Sequence, residues 1–195
     1  AGASYRGTQN RKYDVVAGIL PSSESKQRVG EIYKEKLSVQ DFQNMVDEYA
    51  EVVKFTNGMG SLNDEQMTQL RDQVWNTYVN NKLIEHEAEL LGLTVTDAEV
   101  QSIINSGKSP LLMQTPFRNE KTGAFDVNVL KKFLTDYEGI KSQTTQMPAE
   151  YIEYYTKLYN LWTFIEKTIR EETLISKYQT LLSKSLLSNK IVNQA

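Results

Sequence analysis

The sequence predicts a mainly α protein with a small β element near the start and a long C-terminal helix. Three observations predict it. Between Asn63 and Leu91 apolar residues recur at helical spacing: Met67, Leu70, Val74 and Tyr78 beside Trp75, Val79 and Leu83, with Ile84, Ala88 and Leu91 continuing the stripe. Thr96 and Glu99 then form a Thr-x-x-Glu capping box ahead of Val100, Ile103 and Ile104. Beyond Pro148, Tyr151, Tyr155, Leu158, Trp162, Ile165 and Ile169 step by four and three with no breaker between them.

Taken in order, residues 1–28 read as an arm or linker. Tyr13–Leu20 has the composition of a short strand, and Pro21-Ser22-Ser23 that of a turn. Arg28–Leu37 carries Val29 and Ile32 ahead of the first long helix. Ser38–Thr56 is an amphipathic helix capped by Ser38 with Asp41, its apolar face made of Val39, Phe42, Val46, Tyr49 and Val53. Asn57-Gly58-Met59-Gly60 ends it. Asn63 or Asp64 caps the next helix, and Gly92 supplies the left-handed residue that closes it. Asn105-Ser106-Gly107 ends the short helix that follows, and Asn119–Gly123 is a polar turn. Asp126 caps a helix over Val127–Tyr137 with Val129, Leu130, Phe133 and Leu134 apolar. The last helix starts with Pro148 at its first position, where a missing amide costs nothing, and runs to about Leu187 through Leu174, Tyr178, Leu181 and Leu182. Such a helix outruns the core of a small domain, so part of it is expected to pack on the N-terminal arm, a following domain or a second chain.

Composition excludes several functions. A net charge of −3 offers no basic surface for nucleic acid. No apolar run approaches the roughly 20 residues that span a bilayer, and AGASYRGTQNRKYD does not read as a signal peptide. With no cysteine there are no disulfides and no thiolate metal ligands. His86 is the single histidine. The zincin pattern needs a second histidine four residues on, where Leu90 stands, so His86 is expected to pack with Val79, Leu83 and Leu90 or to pair with a carboxylate. Glu85 with Glu89, and Glu171 with Glu172, are expected on solvated faces, because acid–base work needs burial to shift a carboxyl pKa. No Gly-rich phosphate loop and no nucleophilic serine elbow occurs. No cofactor and no metal is expected.

Eleven tyrosines against six phenylalanines is the stronger bias. Tyrosine joins apolar area to a polar tip and suits half-buried or peptide-binding surfaces. Met113, Phe117, Met147, Tyr151, Tyr154, Tyr155, Tyr159 and Trp162 crowd the link and the start of the last helix. Helical spacing assigns most of them to core. Adjacent aromatics at Tyr154 and Tyr155 cannot share one buried face, so some are expected to line an open cradle, where flexible Met and amphipathic Tyr suit promiscuous binding.

Leu83, Ile84, Ala88, Leu91, Gly92 and Leu93, followed by Val95, Thr96, Asp97, Glu99 and Val100, spell Leu-Ile-x-x-x-Ala-x-x-Leu-Gly-Leu and Val-Thr-Asp-x-Glu-Val. Phe117, Gly123, Phe125 and Asp126 add Phe…Gly-x-Phe-Asp. In these motifs the chain resembles the N-terminal chaperone-like domain of the SurA/PpiD group of periplasmic peptidyl-prolyl cis-trans isomerases, in the PpiC/parvulin family. The resemblance runs over about Val29–Asn189. It departs at Tyr33-Lys34, which replaces the Asn-Gly of the family's opening hairpin. It implies a SurA N-terminal-like helical domain over 29–189 with a tail at 190–195. It also implies a periplasmic parent anchored in the inner membrane, and unfolded polypeptides as partners. The family's catalytic unit is a separate αβ domain with paired histidines, which this chain lacks. The resemblance therefore implies a non-enzymatic part of such a protein. The rival expectation is a structural docking or homodimerisation module built on the long helix.

Overall fold

In the computed structural model the described residues are 31 and 37–192, with side chains described through 188. Five α-helices follow in order: α1 (Val39–Asn57), α2 (Asp64–Leu90), α3 (Asp97–Ser106), α4 (Val127–Lys141) and α5 (Ala149–Val192). A 3₁₀ turn at Pro110–Gln114 lies between α3 and α4. The expected strand at Tyr13–Leu20 and nearly all of Arg28–Leu37 lie outside the described residues. Among the described residues, β structure is a lone antiparallel bridge between Arg118 and Phe125.

Local chemistry sets the helix ends. The Asp41 amide donates to Ser38 Oγ at 3.0 Å, and the α1 chain turns off at Gly58, whose φ is 62°. Asn63 and Gln66 cap α2 reciprocally, each side chain accepting the other's backbone amide at 2.8–2.9 Å. At its far end the Leu93 amide donates to Ala88 O at 2.8 Å and the Gly92 amide to Glu89 O at 3.0 Å. Gly92 has φ 70°, so this is a Schellman stop. Thr96 and Glu99 form the expected capping box of α3. Asp126 caps α4, which runs on past Tyr137 to Lys141. At α5, Pro148 stands just before the first helical residue, and its carbonyl accepts from Tyr151 and Ile152 at 3.0 and 3.2 Å.

The long helix is the spine, and α1, α2, α3, α4 and the 3₁₀ turn all pack against it. The main core joins Val52 of α1, Val100 and Ile104 of α3, Leu112, Phe117, Leu130 and Phe133 to Leu158, Leu161, Trp162, Ile165 and Ile169 of α5. A second cluster, Val46, Ala50, Leu70 and Val74, closes α1 on α2. A third holds Ile84 of α2 against Tyr178 of α5. Several expected apolar positions point outward, among them Val129 of α4, 37% exposed. Val39 is 87% exposed on the first turn of α1, and Leu91 is 50% exposed past the end of α2.

The α3 start is tied to the spine by polar contacts. Lys177 donates to Thr94 O at 2.8 Å and to Glu99 at 2.7 Å. Arg170 donates to Val95 O at 3.2 Å and pairs with Asp97. Glu99 thus caps α3 and docks it. The Lys177 hydrogen bond and the Thr96 amide hold its carboxyl below the usual glutamate range.

Candidate functional site

The aromatic and methionine residues picked out above separate into three depths. Phe117 and Trp162 are core, each 3% exposed, with their rings edge to face at 6.1 Å. Both rings lie in the main core and present almost no surface to the outside. Tyr155 and Tyr159 are half-buried. Tyr155 stacks on Phe133 at 5.4 Å and Tyr159 on Tyr137 at 4.1 Å, nearly parallel in both cases. Met147 is also half-buried. Met113, Tyr151 and Tyr154 are open, at 41%, 58% and 47% exposure.

The neighbours Tyr154 and Tyr155 divide between the two sides of the helix surface. Tyr155 turns to the core, and Tyr154 meets it edge-on at 6.2 Å while leaning on Phe55 of α1 at 5.8 Å. Ile152, which the sequence reading passed over, is 38% exposed on the same turns. The opening turns of α5 therefore carry three open apolar side chains: Tyr151 and Tyr154 on neighbouring sides, with Phe55 and Tyr155 behind Tyr154, and Ile152 about 160° round the helix from Tyr154.

A second feature had no signal in the periodicity. Ahead of the contact of Ile84 with Tyr178, α2 offers Thr77, Tyr78 and Asn81 to α5, which answers with Lys167, Thr168 and Glu171. Polar residues on both helices keep them from closing there, and a cleft of about 510 Å³ remains, with α1 as its third wall. Met45, Tyr49, Val74, Tyr78 and Phe164 give it an apolar lining. Glu171, expected on a solvated face, is half-buried here because α2 crosses over it, and Asn81 donates to its carboxylate at 2.8 Å. Burial pushes its pKa up, Lys167 opposes, and the charge of Glu85 adds to the rise. Glu172 is exposed, as expected.

His86 is half-buried. Leu90 beside it is 69% exposed, so that side of α2 is not a continuous buried face. Among the described residues no three His, Asp or Glu side chains converge as a metal site requires. No described helix is long and apolar enough to cross a membrane.

Comparison with known families matches residues 16–134 to the SurA-like N-terminal domain. Neither curated proteins nor solved structures gave a match. The matched segment takes in α1, α2, α3 and the first half of α4, and so includes the Gly92 stop, the Thr96 capping box and the Asp126 cap. Domains of this kind are chaperone-like, non-catalytic and periplasmic. With well over half of its residues covered by that match, the chain belongs to the SurA-like N-terminal domain family.

Proposed function

We propose that this chain is the chaperone-like part of a periplasmic peptidyl-prolyl cis-trans isomerase, holding unfolded envelope polypeptides by their apolar segments. The observation that carries the reading is the exposure of Tyr151, Ile152 and Tyr154 on the opening turns of α5. Met113 is a further open apolar side chain, Tyr155 backs Tyr154, and Met147 and Tyr159 are half-buried. Phe117 and Trp162 belong to the core packing. Binding acts by mass action: a held chain is withdrawn from the free unfolded pool, and aggregation slows with it. Catalysis belongs to a separate parvulin unit of the parent protein, which is anchored in the inner membrane.

The test is suppression of aggregation of a chemically unfolded client, followed by light scattering. The chain slows aggregation at near-stoichiometric ratios, and the double variant Ile152→Ser/Tyr154→Ser loses most of that effect with its thermal transition unchanged. A prolyl isomerisation assay stays blank. Equal suppression by the variant would sink the assignment of this surface. Trp162→Ser is no substitute, since emptying a core aromatic site costs about 3–5 kcal/mol and would unfold the domain.

A docking or dimerisation module is the rival reading. It draws on Leu186 and Leu187, 51% and 61% exposed near the far end of α5.

A further inference from the structure

We propose that the cleft between α1, α2 and α5 is a second polypeptide-binding site, selective for an apolar side chain with a lysine or arginine beside it. The proposal rests on the polypeptide-binding reading, but not on the Tyr151–Tyr154 surface.

The size, lining and charge of the cleft point to this occupant. A volume of about 510 Å³ lies within the ordinary range of ligand pockets, about 300–1,000 Å³. One aromatic or branched side chain and its flanking backbone would fill it. The lining offers Met45, whose flexible thioether adapts to different shapes, and the rings of Tyr49 and Phe164, tilted against each other at 5.5 Å. Around that floor stand four glutamates, Glu48, Glu85, Glu171 and Glu172, against two lysines, Lys82 and Lys167. Lys82 is held by Glu85 at 2.9 Å. The surplus is negative, with Glu85 and Glu171 half-buried beside apolar surface and Glu48 and Glu172 exposed at the rim.

Glu171 sharpens the case. Its half-buried carboxylate accepts from the neutral Asn81 amide at 2.8 Å. Lys167 and Lys82 act on this carboxylate from the same cleft, and a carboxylate partly stripped of water still favours a further cation that brings its own hydrogen-bond donors. An acidic peptide would add repulsion from the rim, and a purely apolar one would leave the glutamates unserved.

The experiment uses the full 195-residue chain and three dye-labelled peptides read by fluorescence anisotropy. Each peptide has a central Phe, flanked by Lys, Ser or Glu in otherwise identical Gly/Ser sequence. The Lys peptide binds about fivefold more tightly than the Glu peptide at low salt, and the gap narrows as salt is added. Glu48→Lys/Glu172→Lys, at two exposed rim positions, erases or inverts the preference with the thermal transition unchanged. Ile152→Ser/Tyr154→Ser leaves the preference intact. Equal binding of all three peptides overturns the cleft assignment. So does a preference that survives the rim reversal, or a dimer that the rim reversal dissolves. If peptides bind without charge preference and lose affinity on Ile152→Ser/Tyr154→Ser, the cleft fails while the chaperone reading stands. If no peptide binds and no aggregation is suppressed, both fail.

Discussion

Glu171 and Glu172 are neighbours with opposite environments, and the difference has a measurable consequence. Glu171 lies under α2 with Asn81 as its donor, while Glu172 faces solvent at the rim. Loss of water raises the Glu171 pKa above 4.5, with Lys167 working against the rise and Glu85 adding to it. A raised native pKa means that the folded chain binds this proton more tightly than the unfolded one. The charged form therefore costs stability at neutral pH, and that cost fades as pH falls through the native value toward 4.5. Glu171→Gln removes the charge and keeps an oxygen for the Asn81 amide. Thermal unfolding at pH 7 is expected to show a higher Tm for the variant, and the gain is expected to shrink by pH 4.5. A lower Tm at pH 7 would mean that Lys82 and Lys167 already compensate the buried charge. Sequence alone could not separate the two glutamates, because adjacent helical positions differ by about 100° and only the partner helix decides which is covered.

At the scale of elements, what could be read in advance was what a residue's near neighbours decide. Ser38, Asn63, Thr96 and Asp126 cap the helices they were expected to cap, because a cap is a contract between residues two or three apart. Gly92 ends α2 for the same local reason. Long-range pairing was not legible. Arg170 reaches Asp97 across 73 positions and Lys177 reaches Thr94 across 83, and no periodicity reports such partners. The cleft escaped notice because it arises from polar residues on two helices far apart in sequence, each of which alone looks like a solvated face. The docking of α3 on α5 makes its own prediction. Thr96→Ala removes the side-chain cap and is expected to cost about 1 kcal/mol in urea unfolding. Glu99 adds a pH dependence of the opposite sense to Glu171. Its carboxyl is held low by Lys177, so the tie is intact above the ordinary glutamate value and is lost as pH falls through the lowered one. Hydrogen exchange over 94–100 is expected to quicken on acidification in the wild-type chain. In Glu99→Gln it should be fast at neutral pH and largely insensitive to acid.

The described part of the molecule is a helix about 66 Å long, at ~1.5 Å per residue, dressed along its middle by four shorter ones. Buried α5 positions run from Leu158 to Tyr178. Toward either end the helix opens to solvent, with Tyr151, Ile152 and Tyr154 at the start and Leu186 and Leu187 near the finish. Helical spacing predicted a spine too long for a small core, and the described helices do leave its last turns uncovered. The two open ends differ in kind. At the start Tyr154 is braced by Phe55 and by Tyr155, itself stacked on Phe133, so its ring is held ready and can exchange one partner for another. The finish is a single helix held by its own hydrogen bonds, with two leucines and no neighbouring wall among the described residues. Two partly exposed leucines per chain fall far short of the roughly 1,000 Å² of buried surface that a stable interface needs. Light scattering at micromolar concentration is therefore expected to give one mass near 22.3 kDa, unchanged by Leu186→Asp/Leu187→Asp. A mass of twice that value, returned to the monomer by the leucine variant, would move the weight from a chaperone surface at the start of the spine to a docking surface at its end. Aggregation suppression measured on the same two samples decides between them, since a transient client surface leaves the chain monomeric and active whatever happens at Leu186 and Leu187.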